Sequence, residues 1–171
     1  SNPLESEHDL FAIGHTSTSI SLACGLAKAR DLRRETENVI AIIGDASLDG
    51  GEAFEALNCA SEITGNLIVI INDNEMSIPE NHGALGKHLK DLRLSAGTLP
   101  NNFFKALGFQ YLLVEKGNDI EAVIKALNHV KDTKVPVVVH VCTQKGKGFK
   151  PAEEDKENSV SYTHLRAHET L

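Results

Sequence analysis

Three apolar runs along the chain have the length and composition of buried β-strands. They cover Val39 to Ile43, Leu67 to Ile71 and Val135 to Val141, and a shorter run from Phe109 to Glu115 is a fourth candidate. The first two runs are continuous rather than alternating, which is typical of strands that are covered on both faces of a parallel sheet. The pattern therefore predicts a parallel sheet of three or four strands.

Segments with helical spacing lie between these runs. They read "STSISLACGLAKARDLRR", "GGEAFEALNCASEI" and "NDIEAVIKALNHVKD". In the third segment we expect Asn118 or Asp119 to be the N-cap. The predicted apolar face of that helix consists of Ile120, Val123, Ile124, Leu127 and Val130. Alternating strands and helices predict an α/β fold, a doubly wound and mostly parallel sheet with helices on both faces.

Two regions do not follow this alternation. Residues 72 to 102 are too polar and too long for a simple crossover, and long excursions in compact domains are usually functional or mobile. The stretch from Glu153 to the end has no apolar period. We therefore expect an α/β domain over residues 1–152, and a disordered or non-native tail over residues 153–171.

Composition narrows the classes of function. A chain of 171 residues can bury one sizeable core, and a net charge of −7 disfavours nucleic acid or an anionic membrane as the main partner. No apolar stretch approaches the roughly 20 residues of a membrane span, and the first residues show no secretory signal pattern. Cys24, Cys59 and Cys142 lie far apart in apolar segments, so we expect buried thiols in a reducing, cytoplasmic setting.

Candidate chemistry lies where the predicted strands end. Asp45 follows the first strand, and "NDN" from Asn72 to Asn74 follows the second. Carboxylate and amide oxygens suit Mg²⁺ or Ca²⁺, which can also hold a phosphate, and the small residues of "GDASLDGG" allow a close backbone approach. Taken singly, an Asp after a strand is often a helix cap and an "NDN" is often a turn. The pair is more informative, because one crossover length of 29 positions separates Asp45 from Asn74.

Four motifs occur in the order found in one family of enzymes. "GDA" followed by "NDN" is similar to the thiamine-diphosphate signature. Together with "GHTSTSISLACGLAKARD", "IVIINDNEMSI" and "VHVCTQKGKGFKPAEED", it resembles the 1-deoxy-D-xylulose-5-phosphate synthase family of the transketolase-like superfamily. The resemblance covers about residues 6 to 157, without a large gap.

The resemblance implies thiamine diphosphate and Mg²⁺ as cofactors, and it assigns particular residues to them. The Mg²⁺ ligands would be the side chains of Asp45 and Asn74 and the backbone carbonyl of Met76. It implies no catalytic side chain within this chain. The implied cofactor-binding residues are Gly14, His15, Thr16, Ala46, Ser47, Asn74 and Phe149.

The family's reaction and partners are further implications of the resemblance. The substrates would be pyruvate and glyceraldehyde 3-phosphate, joined by decarboxylative carboligation in a homodimer. The pyrimidine-binding domain that completes such a site has no counterpart in this sequence, so we expect the chain alone to be inactive. Ala46 stands where the signature has Gly, and Phe149 stands where it has Tyr.

Two other functions remain open at this level. A transketolase-type ketol transferase fragment would share the same metal ligands, and a non-catalytic α/β interaction module would keep only the fold. A mononucleotide-binding domain is disfavoured, because neither a G-x-G-x-x-G nor a Walker A pattern follows any strand. Among the histidines, we expect His82 and His88 to be surface residues and His140, in the middle of a strand, to be a core residue.

Overall fold

The computed structural model describes residues 2–74 and 83–154. Met76, His82 and the tail from residue 155 onward therefore lie outside the described residues. The elements are α1 (Ser19–Arg33), β1 (Val39–Gly44), α2 (Asp45–Leu48), α3 (Gly51–Ala60), β2 (Leu67–Asp73), α4 (Ala84–Leu94), α5 (Phe103–Ala106), β3 (Gln110–Val114), α6 (Ile120–Val130), β4 (Val137–Cys142) and α7 (Lys150–Glu154). The last helix includes Glu153 and Glu154, the first two residues of the predicted tail.

The four strands form one parallel sheet in the order β1-β2-β4-β3. This confirms the predicted fold class and all four strands. β4 begins at Val137 rather than Val135, because Pro136 has no N–H for the ladder and only its carbonyl pairs, with the Gln110 N–H at 3.0 Å. Each strand therefore ends at the same edge of the sheet, where ligands of open α/β sheets bind.

Helices cover both faces of the sheet. α1, α3, α4 and α5 pack on one face, and α6 packs on the other. The connection from β3 to β4 runs back towards β2, opposite in direction to the other crossovers. A right-handed crossover in the reverse direction must use the opposite face of the sheet, which explains why α6 lies on that face.

The predicted apolar face of α6 is partly wrong. Asp119 is the N-cap, since its side chain accepts a hydrogen bond from the Glu121 N–H at 3.0 Å. Ile120 and Ile124 are exposed, however, whereas Ala126 and Val130 are buried. The side chains of α6 that pack on the sheet are the buried Ala126 and Val130 and the partly buried Ala122, Val123 and Leu127.

The prediction of three buried thiols is correct for one cysteine. Cys24 is buried between α1 and α3, and burial raises the pKa of its thiol to about 11. Cys59 is exposed on α3, and Cys142 is half-buried at the end of β4. Cys59 lies in an apolar stretch, but its position on the helix turns it towards solvent.

The long excursion after β2 contains a helix and a tight turn. α4 ends at Leu94, and the turn that follows places Ala96 and Gly97 at positive φ angles of 49° and 75°. α4 begins directly after Gly83, and the buried face of this helix packs Leu85, Leu89 and Leu92 into the core. Among the residues that the structure describes, no helix is long and apolar enough to cross a membrane.

Candidate functional site

The glycine-rich turn after β1 makes room for a side chain from another part of the chain. The Ser17 hydroxyl donates a hydrogen bond to the Ser47 carbonyl at 2.7 Å. A Cβ on Gly50 would lie 2.1 Å from Ser17 Oγ, so only glycine fits at this position. Ser17 itself has a φ of 74°. The motifs "GHTSTS" and "GDASLDGG" are thus in direct contact.

A cavity of about 240 Å³ lies where these two motifs meet, at the carboxyl end of β1. Two of the predicted cofactor residues before α1, His15 and Thr16, line this cavity, and Ser47 lines it from the other motif. Gly14 and Ala46 are their neighbours in the sequence. The lining also includes Ser17, Thr18, Ser19 and Gly44.

The chemistry of this cavity suits an anion. The Thr18 side chain makes no capping hydrogen bond to α1, and the first turn of α1 carries no acidic residue. The first N–H groups of a helix have no partner within the helix, and they carry a partial positive charge. The His15 Nδ1–H donates a hydrogen bond to the Thr16 carbonyl at 2.7 Å, because a carbonyl can only accept.

Asp45 lies at the start of α2, and its side chain is buried, with 4% of its surface exposed. One carboxylate oxygen, Oδ1, accepts a hydrogen bond from the Ala46 N–H at 2.9 Å, so a ligand would compete with Asp45 for that N–H. Ala46 is helical and is not among the described residues with positive φ. Alanine in place of the signature's glycine therefore introduces no backbone strain.

Asn74, the second predicted metal ligand, directly follows β2, the strand adjacent to β1. Gly44 pairs with Asn72 in the register of β1 and β2. Asp45 therefore lies one residue after this pair, and Asn74 lies two residues after it. The Thr143 hydroxyl donates to Asn72 Oδ1 at 2.7 Å and ties the end of β4 to this edge. Met76 lies outside the described residues, and its predicted role stays a prediction.

Phe149 lies on the loop after β4 and is not among the residues that line the cavity. The Gly148 N–H in this loop donates to Glu153 Oε1 at 2.8 Å, and the Lys147 ammonium lies 3.6 Å from the same oxygen. The Gly148 hydrogen bond and then the Lys147 charge lower the pKa of Glu153. These contacts brace the loop internally.

Two histidines of the described residues have structural partners. His88 is half-buried on α4, and its Nε2 accepts a hydrogen bond from the Phe103 N–H at 3.0 Å. Burial lowers the pKa of His88. His140 is fully buried, as predicted, between Tyr111 and Asp73. The sequence analysis did not predict that the Asp73 side chain is buried. The available signal was strand alternation, which places Asp73 on the same side of β2 as the buried Ile71.

The donor set at the sheet edge is sparse. Within residues 2–74 and 83–154, no group of three His, Cys, Asp or Glu side chains could hold a metal ion. Mg²⁺ typically uses one or two protein carboxylates and completes its shell with water and phosphate oxygens. One buried carboxylate and an amide at the next strand end fit that ion and not a zinc-type cluster.

A larger cavity, of about 510 Å³, lies at the opposite end of β1. Val39 and Ile40, at the start of the strand, contribute to its lining together with Arg30 and Arg33 of α1. Ligands of parallel sheets bind at the carboxyl ends of strands, so we assign the candidate site to the smaller cavity.

Several proteins similar to this chain carry the name "1-deoxy-D-xylulose-5-phosphate synthase". The protein from Pelotomaculum thermopropionicum is 42% identical over 190 residues, which cover 91% of this chain and 30% of the relative. The protein from Listeria monocytogenes serotype 4b is 47% identical over 161 residues, covering 91% of this chain and 26% of the relative. This chain therefore spans less than a third of these relatives.

The expectation of a resemblance without a large gap is wrong for some relatives. The alignment with the Pelotomaculum protein, at 190 positions, is longer than the 171 residues of this chain, so that relative contains internal residues that this chain lacks. The profile of the family described as "1-deoxy-D-xylulose-5-phosphate synthase" matches in two parts, over residues 1–99 and 93–143. These parts meet at the end of α4 and together cover most of the chain, which belongs to the 1-deoxy-D-xylulose-5-phosphate synthase family.

Proposed function

We propose that this chain is the diphosphate- and Mg²⁺-binding part of a thiamine-diphosphate-dependent 1-deoxy-D-xylulose-5-phosphate synthase. The whole enzyme would join pyruvate to glyceraldehyde 3-phosphate with loss of CO₂. One observation carries the proposal beyond family membership. The Ser17–Ser47 hydrogen bond joins "GHTSTS" to "GDAS" around a polar cavity, beside the buried carboxylate of Asp45.

The residues around the cavity fit a diphosphate. Hydroxyl groups and helix N–H groups are the donors that a diphosphate needs. Thr16 and Ser47 would donate to the diphosphate oxygens, and the space around Gly14 is open to a ligand, since no atom of the described residues lies within 4 Å of a Cβ built there. His15 would contact the cofactor at the same opening. Ala46 would contribute its backbone, and Phe149 an aromatic ring from the loop after β4.

The metal would join the two strand ends. Asp45 and Asn74 would bind Mg²⁺ through their side chains and Met76 through its carbonyl, and the ion would neutralise the charge of the diphosphate. When bound, the thiazolium ring of the cofactor supplies the carbanion-stabilising chemistry. The residues named here would bind and orient the diphosphate end and contribute no catalytic side chain.

Completion of the site would require partners of this chain. We propose that a pyrimidine-binding domain and a second subunit of a homodimer supply the remaining contacts, so the chain alone would bind cofactor weakly and would have no carboligation activity. A cytoplasmic location agrees with thiols rather than disulfides at Cys24 and Cys59.

Thermal stability in the presence of ligands tests the proposal. Thiamine diphosphate is titrated into the 171-residue chain with and without Mg²⁺, and binding to the folded state raises Tm. We expect stabilisation that requires Mg²⁺ and that Asp45→Ala abolishes. Asp49→Ala is the matched control, because it removes an exposed carboxylate from the same turn and should retain the shift.

Two results would contradict the proposal. Equal stabilisation by ATP or NAD would indicate a general anion site. No stabilisation by any of these ligands would favour the non-catalytic interaction module.

A further inference from the structure

Two buried and two half-buried polar side chains form a connected group next to Asn74, the candidate metal ligand. The His140 ring, with no exposed surface, has Nε2 at 2.8 Å from Asp73 Oδ2 and Nδ1 at 2.7 Å from the Tyr111 hydroxyl. Arg93 Nη1 lies 3.5 Å from the other carboxylate oxygen of Asp73. Asp73 is 2% exposed. We refer to these four residues as the Asp73–His140 network.

The hydrogen bond between His140 and Asp73 has a fixed direction. An ionised carboxylate can only accept, so the Nε2–H of His140 donates to Asp73. The other ring nitrogen, Nδ1, shares a hydrogen bond with the Tyr111 hydroxyl. Burial raises the pKa of Tyr111, which keeps that hydroxyl protonated. Arg93 balances the charge of the carboxylate.

The network joins four separate elements and reaches the carboxyl edge of the sheet at Asp73. Asp73 is the last residue of β2, His140 lies on β4 and Tyr111 on β3, while Arg93 comes from α4. The backbone of Asp73 is held as well, because its carbonyl accepts the Thr143 N–H at 2.8 Å. Asp73 directly precedes Asn74, the candidate metal ligand. Contacts that hold the backbone of Asp73 therefore also restrict the position of the Asn74 backbone nitrogen.

Stability alone does not explain four polar groups in this layer. The surrounding core is apolar, with Leu92, Phe104 and Val138 buried on the same face. A buried ion pair contributes little net stability compared with well-packed apolar side chains, because both charges lose their hydration. Directional hydrogen bonds do, however, restrict a backbone position more sharply than apolar packing does.

We propose that the Asp73–His140 network is a positioning device that holds the end of β2 in place and thereby sets the affinity of the site for Mg²⁺ and diphosphate. Asp73 and His140 are positioning residues and touch no ligand themselves. The statement on affinity rests on the proposed function, whereas the statement on the end of β2 does not.

A pair of substitutions at His140 tests the network. Gln places its amide nitrogen where Nε2 lies, so His140→Gln keeps a donor to Asp73, whereas His140→Leu removes it. The first measurement, made without ligand, is hydrogen exchange at the Thr143 amide relative to the Gln110 amide, which donates to Pro136 at the other end of the sheet. The second is the Kd of thiamine diphosphate with Mg²⁺, measured by calorimetry.

We expect His140→Leu to raise the exchange ratio and to weaken the Kd about tenfold each, as for the loss of one buried hydrogen bond to a charged group. In the His140→Gln variant, the exchange ratio and the Kd should both stay within about threefold of the wild-type values. Val137→Ala is the control, since it truncates a buried side chain of β4 on the opposite face. It should lower Tm and leave both the ratio and the Kd unchanged.

Three outcomes separate the possibilities. If Val137→Ala and His140→Leu change the ratio alike, the network is merely part of the core and the inference is wrong. An increased ratio with an unchanged Kd would refute the link to the metal site. An increased ratio in a chain whose wild type binds no thiamine diphosphate would support the positioning of β2 and contradict the proposed function.

Discussion

Single residues decide whether the two loop motifs can meet around the cavity. The Ser17 side chain occupies the space that a Cβ of Gly50 would need, and its hydroxyl reaches the Ser47 carbonyl. The sequence displays the glycines but not the residue that they accommodate, which lies 33 positions earlier. The contact is therefore a property of the folded chain that local pattern could not predict.

Replacement of Gly50 by Ala should be costly. The added Cβ would lie 2.1 Å from Ser17 Oγ and 2.6 Å from Ser17 Cβ, so one of the two loops must move. We expect a loss of about 1–3 kcal/mol in the free energy of unfolding, measured by urea denaturation. Gly51→Ala is the control: nothing lies within 4 Å of its Cβ, and a helical alanine should be neutral or stabilising by up to about 1 kcal/mol. Equal losses for both variants would contradict this explanation.

His88 should make stability depend on pH. Burial lowers the pKa of His88, so the folded chain binds this proton less readily than the unfolded chain does. The contribution of the neutral His88 ring to the free energy of unfolding is therefore fully present above the unfolded pKa of about 6.5. This contribution is lost as the pH falls through the pKa of His88 in the folded chain. A protonated ring also cannot accept the Phe103 N–H. We expect Tm to fall between pH 7.5 and 5, and His88→Gln to reduce that fall. His129→Gln, at an exposed position, should leave the pH profile unchanged.

At the scale of elements, the strands were predictable because they are continuous apolar runs. The expectation that the first run is covered on both faces is wrong, since β1 is an edge strand whose Ile40 and Ile42 are 48% and 65% exposed, whereas β2 and β4 are buried along most of their length. The strand ends moved by only one or two residues, as where Pro136 delays β4. The buried face of α6 was not predictable from periodicity, since Ile120 and Ile124 fit the helical stripe but face solvent. Which part of a stripe is buried depends on the position of the helix over the sheet.

The same limit applies to the candidate site. Asp45 and the "GHTSTS" segment could be found from motif and strand order in sequence. The Asp73–His140 network could not, because it needs the spatial order β2-β4-β3 and a register that pairs Ile71 with His140. Neither is encoded in the spacing along the chain.

β1 offers a direct test of the two faces of this edge strand. Ile42 and Ile43 are neighbours, yet Ile42 is 65% exposed and Ile43 only 3%. Ile43→Ala leaves a cavity in the core and should cost about 2–5 kcal/mol. Ile42→Ala should change the free energy of unfolding by about 0.5 kcal/mol or less, as for surface positions. A large loss at Ile42 would mean that this face of β1 is covered in solution, by a second copy of the chain for example.

At the scale of the whole molecule, the match to the family profile is divided near the end of α4. The two parts of the profile match meet over residues 93–99, and some relatives contain residues that this chain lacks. Here the connection is the tight turn through Ala96 and Gly97, closed by a hydrogen bond of 2.7 Å from the Gly97 N–H to the Leu92 carbonyl. Thr98 is exposed immediately after the turn. The fold should therefore tolerate added chain at that point.

Insertion of ten Gly and Ser residues after Thr98 tests this tolerance. The insertion lengthens a surface loop about twofold, which costs about 0.6 kcal/mol in closure entropy. We expect a fall in Tm of a few degrees at most. The same insertion between Gly117 and Asn118 is the control. It would separate the Gly117 N–H, bonded to the Cys142 carbonyl at 2.8 Å, from Asn118, whose side chain accepts the Gln144 N–H at 2.7 Å. Because these bonds hold β4 against the start of α6, the control should lower Tm far more, and similar losses at both sites would show that the α4 turn is as constrained as the core.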